Sequence, residues 1–159
     1  MDVCAVKVKP VEWMKKNLPK GVSILGTHPL FGPDSAHASI KGHRLCICPI
    51  RIHKERLRHV IRQLKLAGLV VRVISPKEHD KMIAETLFLS QYVGRLVAKA
   101  GLARHAFSTK SYADLMKIVE IADNDTRELF RDMLTYNPYA KQVLKRLLRA
   151  EKRVLIDLS

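Results

Sequence analysis

Apolar and polar positions along this chain follow two different periods, and the change falls near residue 75. Residues 3–8 (VCAVKV), 22–26, 44–50 (RLCICPI) and 69–74 (LVVRVI) are short, apolar, β-branched runs flanked by Pro or Gly and predict four strands. Residues 69–74 are almost continuously apolar, the pattern of a strand covered on both faces. Between the strands, 11–18 predicts a short helix with Trp13 and Met14 on its apolar side. In 54–67, Leu57, Val60, Ile61 and Leu64 recur at helical spacing, with Gly68 placed to end that helix. At Ser75-Pro76-Lys77-Glu78 the signals for a helix start coincide: an N-cap serine, proline at the first helical position and glutamate three residues after the cap. A long helix is predicted from there to about residue 100, with Gly101 just past its end. Only helices follow, over 112–122, 126–136 and 139–155, the last two parted by Asn137-Pro138. The pattern therefore predicts an α/β lobe over 1–75, a partial sheet of about four strands with helices, and an all-α lobe over 76–159.

Composition adds limits. The chain has 159 residues, 47% of them hydrophobic and 28% charged, which is ordinary for a globular protein. No apolar run approaches the roughly 20 residues of a membrane span, and MDVCAVKVKP lacks the apolar core of a signal peptide. Cys4, Cys46 and Cys48 form no disulfide framework, so reduced thiols and a cytoplasmic location are expected. Cys46 and Cys48 point to one strand face and read as small buried hydrophobes rather than metal ligands. Net charge is +14, which raises the question of nucleic acid. The basic residues of 51–72 and 141–153, however, interleave with leucine and valine at helical spacing, as on solvated helix faces. Neither zinc-finger spacing nor an aromatic-rich strand is present, so nucleic acid is not an expected partner, and neither is a membrane.

The seven glycines stand at 21, 26, 32, 42, 68, 94 and 101. No two are separated by one residue, so the GxGxxG turn that holds a pyrophosphate is absent, as is the Walker pattern. If the first lobe belongs to a Rossmann-like dinucleotide-binding fold, it is the second half of one.

The motif THPLFGPDS at 27–35 resembles the THPMFGP-type signature of prephenate and arogenate dehydrogenases. Other segments agree in the same order. Asp2-Val3-Cys4-Ala5-Val6-Lys7 resembles the family's D-x-x-S-V-K strand end, and Glu78-His79-Asp80 its E-H-D helix start. Val93-Gly94-Arg95, Thr109-Lys110-Ser111-Tyr112 and Tyr136-Asn137-Pro138 resemble its helical part. The resemblance covers nearly the whole chain and is most specific at the histidine motif. It implies an NAD- or NADP-dependent oxidation of a cyclohexadienol, in which hydride and carbon dioxide leave and the ring becomes aromatic. His28 would accept the hydroxyl proton, in a loop stiffened by Pro29, Gly32 and Pro33. Arg95, Lys110, Gln91 and His79 would contact the ring acid, with Lys117 and Arg127 as weaker candidates. Gly32 and Pro33 would border the cofactor only if a nucleotide-binding half were supplied, and the cofactor is not expected to bind this chain alone. The implied partners are the ring acid, a second copy through the helical lobe, and a separate chain carrying the missing half.

Two departures bear on activity. The family's serine in S-V-K is Ala5 here, and the histidine of its T-H-x-x-G-R pattern is Gln91, which can hydrogen-bond but not titrate. A non-catalytic binding, regulatory or dimerisation module of the same descent is therefore the alternative to an enzyme. The run 3–8 would form an exposed sheet edge, a surface prone to association.

Overall fold

The computed structural model describes residues 1–158, the side chains of Pro33 and Asp34 excepted. The chain divides into two compact units, Met1–Asp80 and Lys81–Ser159. In the first unit the order is α1 (Val8–Asn17), β1 (Ile24–Pro29), α2 (Pro33–Ala36), β2 (Arg44–Arg51), α3 (Lys54–Leu66) and β3 (Val70–Val73). One three-stranded sheet runs β1-β2-β3, with β1 antiparallel and β3 parallel to β2. The parallel pair is joined through α3, as a crossover requires. Gly68 closes α3 with φ at +89°, a left-handed conformation that suits glycine.

The sheet has three strands where about four were expected. Of residues 3–8 and their neighbours, only Asp2 bridges to Gly26. The backbone N–H groups of Lys7 and Val8 instead donate to the Asp80 carboxylate, and the chain enters α1 at Val8. A carboxylate at a helix N-terminus satisfies buried donors and favours the helix dipole, so it outcompetes a strand ladder there. β1 and β3 are the outer strands of the sheet, and β3 is the exposed one. Val70 is 55% and Val73 51% exposed, so β3, with β2 as its one neighbour in the sheet, is not the doubly covered strand its composition suggested. On α1 the buried residues are Pro10 and Val11, while Trp13 is exposed.

Strand alternation gives the sheet two unlike faces. Leu25, Leu45 and Ile47 point to one face and pack under Leu57, Val60, Ile61 and Leu64 of α3. Each such burial is worth about 1.5–3 kcal/mol. The opposite face carries Gly26 and His28 beside their register partners Cys48 and Cys46.

In the second unit the helix begun as α4 (Pro76–Ile83) continues through a π-helical turn, Ala84–Phe88, into α5 (Leu89–Lys99). Then come α6 (Lys110–Asn124), α7 (Arg127–Tyr136) and α8 (Ala140–Asp157). Thr109 and Thr126 cap α6 and α7 through their hydroxyls. Phe88, Met116, Val119, Ala122, Met133 and Val143 form the core, and Phe88 stacks on Phe130 with centroids 5.6 Å apart. No helix among the described residues is long and apolar enough to cross a membrane.

Helices α5 and α6 meet at Gly94. A Cβ there would lie 2.7 Å from Ala122 Cβ and 2.8 Å from the Ile118 carbonyl oxygen. Gly94→Ala is therefore expected to destabilise the chain by about 1–3 kcal/mol, the range for overpacking, despite alanine's better helix propensity. Urea unfolding checks this; a stabilised variant would mean that the contact is not as close as described.

Candidate active site

His28 lies within β1, paired with Cys46, and is 6% exposed. It is a strand residue and not part of a loop; the turn begins after Pro29. The sheet fixes its backbone, and strand alternation aims it away from the aliphatic core. His79 meets it there. The capping box at the start of α4 forms as the sequence predicts: Ser75 N donates to Glu78 and Glu78 N to Ser75 Oγ, at 3.1 and 3.2 Å. That start places His79 and Asp80 in the first turns of the helix, both wholly buried.

The result is a chain of three side chains. Asp80 Oδ1 lies 2.8 Å from His79 Nδ1, and His79 Nε2 lies 2.9 Å from His28 Nδ1. The rings meet nearly edge to face, with centroids 5.1 Å apart. Asp80 Oδ1 and Oδ2 also accept the Lys7 and Val8 N–H groups at 2.7 and 2.8 Å. These partners order the protons. A carboxylate surrounded by N–H donors accepts a hydrogen bond from His79 Nδ1–H, so with His79 neutral its Nε2 carries the lone pair. That lone pair accepts from His28 Nδ1–H, which leaves the lone pair of His28 on Nε2.

Electrostatics favour the same state. Burial foremost, with cationic pressure from Lys7, pushes the His28 imidazolium down to about 3. His28 is thus a neutral imidazole at neutral pH, able to accept a proton. Lys7 supplies its share of that field from a fully buried position, where its ammonium donates to Asp2. Its stem lies along Gly26, where a Cβ would sit 3.2 Å from Lys7 Cδ. Asp2 Oδ2 is buried with no partner among the described residues. Burial pushes the neighbouring Cys48 thiol up to about 12, so it is inert as a nucleophile.

Both nitrogens of His79 are engaged by protein, so its reach toward a substrate runs through His28. Ala5 is half-buried and brings only a methyl group where the resemblance expects a hydroxyl. Gly32 N–H is engaged by Ser35 Oγ at 3.1 Å, α2 is only four residues long, and the Pro33 side chain lies outside the described residues. A pyrophosphate needs a glycine-rich turn opening onto a long helix. The residues present do not fit a dinucleotide by themselves. Among the described residues there is no group of three or more His, Cys, Asp or Glu able to hold a metal ion.

In the second unit Gln91 and Arg95 converge on the α6–α7 turn. Gln91 Nε2 donates to the Asp125 carboxylate. Arg95 Nη2 donates to the carbonyls of Asp125 and Thr126 at 2.8 and 3.3 Å, and its guanidinium lies over Phe130 at 5.2 Å. Gln91 Oε1 and Arg95 Nε are buried without a partner among the described residues. Lys110 is not with them. It is 86% exposed and pairs with Asp114 at 2.9 Å along α6.

Sequence reasoning found His28 and His79 but gave Asp80, Lys7 and Asp2 no role. The signal for Asp80 was there, as a carboxylate one residue after a helix-start histidine. The buried lysine carried none, because Lys7 sits among other lysines in a basic chain.

Residues 1–75 match the family model described as prephenate dehydrogenase, nucleotide-binding domain, and residues 96–159 match that of the TYRAAT1-like, C-terminal domain. Arogenate dehydrogenase 2, chloroplastic, of Arabidopsis thaliana is 34% identical over 152 residues, covering 92% of this chain and 42% of that protein. A probable arogenate/prephenate dehydrogenase of Methanocaldococcus jannaschii is 25% identical, covering 90% of this chain and 34% of that protein. Two solved structures share the fold. Synechocystis arogenate dehydrogenase has a TM-score of 0.65 at 20% identity, over 99% of this chain and 59% of that one. The prephenate dehydrogenase from Aquifex aeolicus, in complex with hydroxyphenyl propionate and NAD+, has a TM-score of 0.68 at 22% identity, over 96% and 58%. The chain spans less than half the length of these curated relatives. With the histidine motif and the matches running through both units, the chain belongs to the prephenate/arogenate dehydrogenase family.

Proposed function

We propose that this chain is the ring-acid-binding and proton-accepting part of an NAD(P)-dependent prephenate or arogenate dehydrogenase of tyrosine biosynthesis. The observation that carries the proposal is the buried Asp80–His79–His28 chain, which presents an unprotonated Nε2. In the oxidation, the substrate hydroxyl proton passes to His28 Nε2 as hydride leaves the same carbon. The bond to the ring carboxylate then gives carbon dioxide, and its electrons complete the aromatic ring. A base that is neutral at pH 7 suits that first transfer. Arg95 is proposed to meet a substrate carboxylate, with Gln91 as a hydrogen-bonding contact and Lys110 as a second cation. His79 acts through His28. The hydride acceptor is assigned to a nucleotide-binding half supplied from elsewhere, and the chain alone is proposed to be inactive. Self-association through the helical unit belongs to the same proposal, since Ile121, Leu148, Val154 and Leu155 stay exposed. So does a cytoplasmic location, with Cys4, Cys46 and Cys48 all free thiols.

Ala5 and Gln91 favour a second reading, a module that binds the ring acid without turning it over. Calorimetry of the chain with prephenate, arogenate, NAD and NADP tests the main proposal. One ring acid is expected to bind, and neither dinucleotide with micromolar affinity. Tight dinucleotide binding by this chain alone, or no ring-acid binding, would overturn it. Turnover once a nucleotide-binding half is added would exclude the second reading.

A further inference from the structure

We propose that the first unit holds a second binding site, separate from His28, for a small phosphorylated ligand. Lys20, Ser23, Arg51, His53 and Arg56 surround a cavity of about 460 Å³ to which no carboxylate contributes. It lies at the other end of the β1–β2 pair from the histidine. Arg51 is opposite Ile24, whereas His28 is opposite Cys46. Ile24 and His28 are four positions apart along β1, or about 13 Å at roughly 3.3 Å per residue.

Arg51 is built in. Its Nε donates to the Val22 carbonyl at 2.6 Å and its Nη2 to that of Pro19 at 2.8 Å, which pins the α1–β1 connection around the cavity. These carbonyls fix the guanidinium but leave its charge uncompensated. Arg56 leans on Ser23 Oγ at a long 3.4 Å. A few exposed cations elsewhere pair with carboxylates, as Lys9 does with Glu12 and Arg146 with Glu85. Lys20, Arg51 and Arg56 have no ion pair among the described residues. Like charges gathered in a concavity raise its potential and attract an anion. Fifteen of the 29 basic residues but only six of the 15 acidic ones fall within residues 1–80, which reinforces that field.

The chemistry selects phosphate. Guanidinium and ammonium donors with a hydroxyl match a multiply charged tetrahedral oxyanion better than a single carboxylate. The volume is that of a small-molecule pocket, so the occupant is a phosphorylated metabolite and not a polynucleotide lying along the surface.

The test is calorimetric titration of the whole chain with pyrophosphate at about 150 mM salt, where one-site saturable binding with Kd below about 1 mM is expected. Lys20→Ala with Arg56→Ala should weaken it at least tenfold. Arg58→Ala with Arg62→Ala, on the same helix but outside the cavity, should not. All four residues are exposed, and matching melting temperatures establish that the variants fold. The proposal is overturned by an absence of saturable binding, by equal weakening in the control pair, or by mixed-sequence RNA displacing pyrophosphate with a steep salt dependence.

Discussion

Replacing His28 by glutamine is expected to lower ring-acid turnover by about 10²- to 10⁴-fold, the share that a positioned general base contributes. KM should change far less. The assay is aromatic product formed by this chain with a nucleotide-binding half of the family added. Glutamine keeps a hydrogen-bonding group near the position of Nε2, so binding contacts survive while proton acceptance does not. The substitution also has a signature that needs no turnover. The folded-state pKa of His28 is depressed to about 3, below the unfolded value near 6.5. Between those values the unfolded chain binds a proton that the folded chain refuses, so stability from this group is complete above pH 6.5 and falls as the pH drops toward 3. The slope is at most about 1.4 kcal/mol per pH unit. Urea midpoints for the parent and His28→Gln at pH 7, 6, 5 and 4 should converge as the pH falls. Parallel curves would show that His28 is not a buried neutral imidazole.

Much of this was legible in the sequence, and the limits have physical causes. Helix starts were read well where side chains cap their own helix. Ser75 with Glu78 acts within three residues, and local chemistry of that kind is visible in a window; Thr109 and Thr126 cap α6 and α7 in the same local way, but the pattern of apolar residues alone started α6 two residues late. The run 3–8 was misread because its decisive partner is 72 residues away in sequence. Its apolar alternation is real, but the Asp80 carboxylate captures the Lys7 and Val8 N–H groups and starts a helix instead. β3 misled in the opposite way: its valines satisfy strand propensity while Val70 and Val73 remain exposed, since composition does not reveal whether another layer covers a strand. At the site, the motif pointed to His28 but suggested a stiff loop, whereas strand pairing with Cys46 holds the ring. Its neutrality depends on burial and on the nearby Lys7 ammonium, which no local pattern encodes.

The carboxylate of Asp80 joins these elements, and its removal should be among the most damaging single changes in the chain. Asp80→Ala is expected to cost about 3–5 kcal/mol, the range for breaking a buried charged network by deleting one partner. The N–H groups of Lys7 and Val8 would lose their acceptor at the start of α1, and His79 Nδ1 would lose the group that fixes its tautomer. Asp80→Asn separates the two roles. Its amide oxygen can occupy the Oδ1 position, keeping Lys7 N–H and His79 Nδ1–H, but its NH2 group would then face the Val8 N–H. A donor meeting a donor in a buried position costs about 1–3 kcal/mol. If the amide flips to relieve Val8, its NH2 group instead faces the Lys7 N–H and His79 Nδ1, which must become an acceptor, and the proton order of the histidine pair reverses. His28 would then carry its proton on Nε2 and could no longer accept one there. Urea unfolding measures the first effect, and imidazole ¹⁵N shifts at neutral pH measure the second. An alanine variant within about 1 kcal/mol of the parent, or ¹⁵N shifts placing the His28 proton on Nε2 in the parent chain, would refute the assigned role of Asp80: to hold α1 in place and, through His79, to keep the base ready.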